Sequence, residues 1–228
     1  MTTRKQEFWS GVRDEAPILL GVAPFGLIFG ALAMNAHLSV LASQAMSSII
    51  FAGSAQFIAA QMVGTGASGV VIIVVVFVVN LRHALYSASV APHMRDLKPA
   101  WKLLLAYLLT DEAYAVTITH YNREGDDANR HWYFLGAGLT LWSAWQVSTA
   151  LGIFAGARIP QNWPLSFILP LIFIALVVPA LKDRAGVAAA LVAGMVGLLT
   201  INFPYKTGLL AAALIGIVTG LVLERGRA

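Results

Sequence analysis

Residues 70–79 read VVIIVVVFVV. The run is apolar on every side. A strand of an outer-membrane barrel would carry a polar residue at every second position to face the lumen, so the run is read as a helix in a hydrophobic setting. Outward from it, further apolar stretches occupy residues 16–36, 40–63, 66–91, 101–119, 132–156, 164–181, 186–203 and 205–223. Each reaches, or nearly reaches, the ~20 residues a helix needs to cross a hydrocarbon core of ~30 Å. The expectation is an all-α polytopic membrane protein with about seven or eight transmembrane helices, residues 1–228 forming one integral membrane domain.

Composition agrees. Of 228 residues, 15 are Lys or Arg and 11 Asp or Glu, 11% in all, while 58% are hydrophobic, and the mean hydropathy is +0.75. A soluble domain carries ~25% charged residues, and so few cannot cover the apolar surface of this chain. The net charge of +4 does not mark a nucleic-acid binder, because the basic residues are scattered over loops and termini. The first 17 residues hold charges of both signs without a short apolar core and cleavage site, unlike a signal peptide.

Every charge but three falls at the edge of an apolar stretch. The exceptions are Arg82, Asp111 and Glu112. An ionised side chain at the centre of a membrane helix costs ~2.5–3.5 kcal/mol, so three unpaired ones would cost roughly 8–10 kcal/mol. They are expected to be paired, hydrated or both.

Arg4, Lys5 and Arg13 precede the first span and no Lys or Arg lies in residues 35–39, which favours a cytoplasmic N-terminus. Strict alternation then sends Arg95, Lys98 and Lys102 to the opposite side, against the positive-inside rule. Either residues 66–91 do not cross once in the simple way, with Asn80-Leu81-Arg82-His83 in their middle as the place for a helix break, or the rule is overridden here. Faint self-similarity at an offset of 122 pairs Gly30 with Gly152, Gly64 with Gly186 and Asn80 with Asn202. It suggests repeats over 17–91 and 139–213 with broken helices near Asn80 and Asn202, the arrangement that places binding sites in transporters.

Enzyme chemistry finds no foothold. Cysteine is absent and the histidines (His37, His83, His93, His120, His131) show no metal-ligand spacing, so no metal or other cofactor is expected. No Ser sits in a GxSxG elbow. The GxGxxG match at residues 64–69 follows an apolar helix rather than a strand, with no acidic residue ~20 positions on, and reads as a loop. GxxxG spacings at Gly26/Gly30, Gly152/Gly156 and Gly216/Gly220 suit close helix packing.

The polar residues inside the spans suit a small zwitterion. Ser54 and Gln56 lie in FAGSAQF (51–57), on faces that either hydrogen-bond across a helix interface or line a path. In NLRHALYSASV, a helix puts Asn80, His83 and Ser87 on one face and Arg82, Tyr86 and Ser89 on the next. Arg82 can hold a carboxylate, and His83 can carry a proton near neutral pH. In the span expected over 101–119, Tyr107, Asp111 and Tyr114 share one helix face. Asp111 and Glu112 lie ~100° apart, so only one can face Arg82, leaving the other for an ammonium or a proton. Asn202 is the candidate from the second half. The competing readings are a non-catalytic membrane subunit and a carrier for another small amino acid or a cation.

These motifs, FAGSAQF (51–57), NLRHALYSASVAPH (80–93) followed by Trp101, LTDEAYAV (109–116) and GVAPFGLIFGALA (21–33), resemble the AzlC family of bacterial branched-chain amino-acid permeases. The resemblance implies the large subunit of an exporter of valine, leucine and isoleucine in the inner membrane, working with a small hydrophobic AzlD-like partner. With so little mass outside the bilayer, a partner or a homo-oligomer is also expected on scale alone.

Overall fold

A computed structural model describes residues 2–124, 129–156, 181, 183–203 and 207–225. The described residues are helical and contain no strand, as the apolar run at 70–79 requires. In chain order the helices are α1 (Arg4–Glu15), α2 (Leu19–Asn35), α3 (Val40–Ile50), α4 (Gly53–Gly64), α5 (Gly69–Asn80), α6 (Arg82–Val90), α7 (Pro99–Tyr107), α8 (Asp111–Glu124), α9 (Arg130–Gly156), α10 (Arg184–Leu199) and α11 (Thr207–Arg225). Among the described residues, two rods, Arg4–Asn35 and Gly69–Met94, are long and apolar enough to cross a membrane. The predicted span at 164–181 lies almost wholly outside the described residues.

Local chemistry sets the helix starts. Thr3 and Gln6 form a reciprocal capping box on α1, Ser39 Oγ accepts from Ala42 N at 3.1 Å, and Asp183 Oδ1 accepts from Gly186 N at 2.6 Å. Each satisfies a backbone donor that a helix N-terminus leaves open.

The chain forms two compact units. The first comprises residues 1–64 and 79–159, the second 65–78 and 160–228. In the second unit α10 and α11 pack through small residues: a Cβ on Gly216 would stand 2.8 Å from Ala193 Cβ.

The first unit is organised around α9. A Cβ on Gly136 would stand 2.1 Å from the Phe8 carbonyl oxygen, one on Gly26 2.1 Å from Ser148 Oγ, one on Gly152 2.0 Å from the Leu27 carbonyl oxygen, and one on Gly156 2.6 Å from Ala31 Cα. The contacts advance together along both rods, so the α1–α2 rod and α9 run parallel, backbone against backbone. Gly26 with Ser148 and Gly30 with Gly152 are also pairs at the 122-residue offset, and each pair touches. Without a hydrophobic force between helices in lipid, this close van der Waals contact holds them.

Two apolar stretches read as single crossings are each a pair of half-helices. In 40–63, Phe51 adopts the left-handed conformation (φ 41°) and ends α3. α3 starts just beyond the C-terminal end of α2, and Ser47 Oγ and Thr149 Oγ1 hydrogen-bond at 3.1 Å. Gly53 sits against the Trp145 ring, and α4 then runs back past Phe29, whose ring lies 5.9 Å from that of Phe57, until Gly64 meets Ala36. The pair enters and leaves at the C-terminal end of α2.

The second pair comes from the opposite end. Trp101 packs on Trp132 (5.0 Å between ring centroids), Leu108 fills the space over Gly138, and the Tyr107 hydroxyl accepts from Trp142 Nε1 at 2.6 Å, so α7 runs parallel to α9. The helix stops at Leu108, Thr110 Oγ1 accepts from Ala113 N at 3.3 Å, and α8 returns until the Tyr121 hydroxyl donates to the Arg130 carbonyl at 2.9 Å. This geometry also resolves the charge conflict: Arg130 Nη1 and His93 Nδ1 are 3.0 Å apart, which brings the loop carrying Arg95 and Lys98 to the N-terminal end of α9, beside the N-terminal arm. The break expected near Asn80 is present at Leu81, between α5 and α6.

Candidate functional site

The tips of the two half-helix pairs meet near the midpoint of α9. The Phe51 and Tyr107 rings are 5.9 Å apart, and the Tyr107 hydroxyl donates to the Ser48 carbonyl oxygen. The N-terminal turns of α4 and α8 therefore face the region where the α5–α6 rod is interrupted. Helix N-termini present unpaired N–H groups and partial positive charge, and they attract anions.

Arg82, the first residue of α6, occupies that junction. Its Nη1 donates to Asp111 Oδ2 in the first turn of α8, and its Nη2 donates to Ser54 Oγ in the first turn of α4 at 2.7 Å. About a third of each charged side chain stays accessible, 33% for Arg82 and 36% for Asp111. Arg82 Nε, Asp111 Oδ1 and Asn80 Oδ1 are buried without hydrogen-bond partners. The cluster thus keeps one unused donor and two unused acceptors, all buried.

The predicted face Arg82, Tyr86, Ser89 docks on α8. The Tyr86 ring stacks on Tyr114 (4.6 Å between centroids, 16° between planes), and the Tyr114 hydroxyl donates to Ser89 Oγ at 2.9 Å. His83 lies edge-on to Tyr86 at 5.9 Å, with Nδ1 3.2 Å from the Asn80 carbonyl oxygen. Asn80, Arg82, His83, Tyr86, Asp111 and Ser54 thus form one cluster.

The other polar residues of these helices lie outside the cluster. Gln56 is fully buried, and its Oε1 accepts from Trp145 Nε1 at 3.2 Å, so it belongs to a helix interface. Tyr107 does not share a face with Asp111 and Tyr114, because the break at residues 108–110 places it on α7. The residues around Ser47 are likewise an interface, with Gln44 Nε2 donating to Gln146 Oε1 at 2.7 Å. Asn202 is exposed, in the turn after α10 in the second unit.

Glu112, one residue past Asp111, falls level with a carboxyl not singled out from the sequence: α1 and α8 are antiparallel and meet at Glu7 and His120, and eight residues further in along each helix come Glu15 and Glu112. Glu15 is fully buried, and neither of its carboxylate oxygens has a hydrogen-bond partner. Glu112 is its acidic neighbour. A signal was available: Glu7, Gly11 and Glu15 recur every four residues, and this face of α1 is buried. Near Glu7, His120 Nε2 lies 3.2 Å from Glu7 Oε2 while the His120 ring stacks on Tyr133.

The family model described as "AzlC protein" matches residues 17–159, which takes in both half-helix pairs and the Arg82 cluster. The chain is 30% identical over 226 residues to "Inner membrane protein YgaZ" of Escherichia coli, covering 94% of this chain and 90% of that protein. It is 31% identical over 216 residues to an "Uncharacterized membrane protein" of Archaeoglobus fulgidus, covering 92% of each. It is also 24% identical over 176 residues to "Branched-chain amino acid transport protein AzlC" of Bacillus subtilis, covering 75% of this chain and 68% of that one. No solved structure matches. With the family model spanning more than half the chain and the Escherichia coli relative matching 94% of it, the protein is a membrane protein that belongs to the AzlC family.

Proposed function

We propose that this chain is a secondary transporter that exports branched-chain amino acids (valine, leucine and isoleucine) across the bacterial inner membrane. In this reading transport is coupled to protons, the N-terminus is cytoplasmic, and a small AzlD-type membrane subunit completes the carrier. The observation that carries the proposal is Arg82, held at a helix interruption between the first turns of two opposed half-helices. The printed name of the Bacillus subtilis relative supports the substrate class.

The mechanism follows from the charges. Arg82 and the N-terminal turns of α4 and α8 take the carboxylate, and Asp111 exchanges its hold on Arg82 for the substrate ammonium. Asn80, Ser54 and Tyr86 orient the backbone end of the substrate, and the aliphatic end needs only an apolar wall. Because the cluster lies between opposed half-helix pairs, small movements of either pair open it to one side at a time, which is alternating access. A panel of amino acids and cations offered to the reconstituted chain, with and without an AzlD-type partner, tests this. Counterflow of valine, leucine and isoleucine in preference to charged or aromatic amino acids is expected. Transport of cations alone sinks the reading, as does no transport in either preparation.

A further inference from the structure

Glu15 is a whole carboxyl group with no exposed surface and no donor to either oxygen. An ionised carboxylate is costly to hold dry without partners, so a carboxyl in this place is suited to carrying an exchangeable proton. The groups facing it point the same way. Glu112 on α8 adds like charge, Tyr133 on α9 already gives its hydroxyl to Asp14 at 2.7 Å, and no cation of α1 or α8 bonds Glu15.

A cleft lies close to this carboxyl without reaching it. The cleft, of about 550 Å³, opens between the C-terminal end of α1, the outer part of α8 and the N-terminal end of α9, lined among others by Arg13, Asp14, Pro17, Val116 and Arg123. Asp14 and Pro17 flank Glu15 in sequence. On α8, the cleft-lining residues Ala115, Val116, Thr119, His120 and Arg123 continue the stripe that Glu112 begins, at steps of three and four residues. Glu112 is thus one turn deeper than the cleft wall, next to Asp111 and its partner Arg82.

We propose that Glu15 and Glu112 form a proton-exchange pair between this cleft and the Arg82–Asp111 cluster, a site distinct from the substrate site. A hydronium ion in the cleft breaks one O–H bond and becomes water as a new O–H bond forms on one carboxylate of the pair. Glu112 hands the proton to Asp111 when Asp111 leaves Arg82, and the reverse steps return it to the cleft. This rests on the carrier reading above.

The pair is tested in purified, reconstituted full-length protein by Glu15→Gln, which keeps size and removes the exchangeable proton, with Glu112→Gln as the second variant. Infrared difference spectra across a pH titration should show a protonated-carboxyl band in the parent that Glu15→Gln removes and Glu112→Gln shifts. In vesicles, both variants should retain valine counterflow while the rate driven by a pH gradient falls by roughly a hundred-fold, the scale on which a proton-transfer group acts. An unchanged response to the pH gradient in both variants overturns the pair alone, as does a carboxyl band that survives Glu15→Gln. Loss of counterflow and driven transport together, in variants that melt at the parent temperature, also overturns it, since the residues would then serve binding. If the parent shows no counterflow, the carrier reading falls and takes the relay with it.

Discussion

Arg82 and Asp111 form an ion pair across 29 positions of sequence, each standing in the first turn of a helix that begins at an interruption. The guanidinium does not close on the carboxylate as a fork. It spends one terminal nitrogen on Asp111 and the other on Ser54. That division joins α4, α6 and α8 through one side chain, while Asp111 Oδ1 and Arg82 Nε are buried without hydrogen-bond partners.

Lysine should not replace this arginine. A lysine ammonium is a single point donor on a flexible stem and cannot span two partners with fixed geometry. Arg82→Lys is expected to lower the initial rate of valine counterflow by at least ~10-fold, a loss of ~1.4 kcal/mol or more. Ser54→Ala, which removes a neutral partner of a charged donor, should cost ~1.5–3 kcal/mol in apparent substrate affinity. Titrating counterflow against valine concentration separates the two effects.

An assembly lock and a substrate site respond differently to a charge swap. Arg82→Asp combined with Asp111→Arg retains a salt bridge but moves the cation to α8 and the anion to α6. The substrate-site account expects a folded protein without transport. Restored transport in the double variant, measured beside both inactive single variants, points to a lock.

The absence of cysteine makes topology directly testable. Single cysteines placed at Lys5, Lys98 and Arg123 should all react with a membrane-impermeant maleimide from the cytoplasmic side, because α7 and α8 enter and leave at one end. A simple crossing by residues 101–119 would put positions 98 and 123 on opposite sides. Mutually exclusive labelling of those two sites would refute the half-helix pair.

Close helix contact predicts which glycines matter. Gly152→Ala puts a Cβ 2.0 Å from the Leu27 carbonyl oxygen, backbone that cannot give way cheaply, and should cost ~1–3 kcal/mol. Gly194→Ala meets nothing within 4 Å and should leave stability unchanged or raised by up to ~1 kcal/mol, since the helix gains propensity. Thermal unfolding in detergent compares the two.

The sequence carried the charged cluster more plainly than the path of the chain around it. Arg82, Asp111 and Glu112 stood out because a charge inside an apolar run is costly wherever the helix goes, and the ~100° between adjacent positions already required Asp111 and Glu112 to part. The break at Leu81 was legible from the polar run around it. The break at residues 108–110 was not, because Leu108 and Leu109 continue the apolar run and neither Gly nor Pro marks the turn. It depends on Thr110 capping α8 and on packing against Gly138. Phe51 is equally silent, since a β-carbon normally disfavours its left-handed backbone. Glu15 was hidden for the opposite reason: at the end of a charged run it reads as solvated, and only the contact of α1 with α9 and α8 buries it.

The account depends most on Arg82 and Asp111 handling the two ends of the substrate. The direct measurement is valine efflux from dipeptide-loaded cells expressing the parent chain, Arg82→Ala or Asp111→Asn at matched membrane levels. The parent should export valine, and each variant should fall to the level of cells lacking the protein. Efflux at the parent rate by both variants would contradict the account.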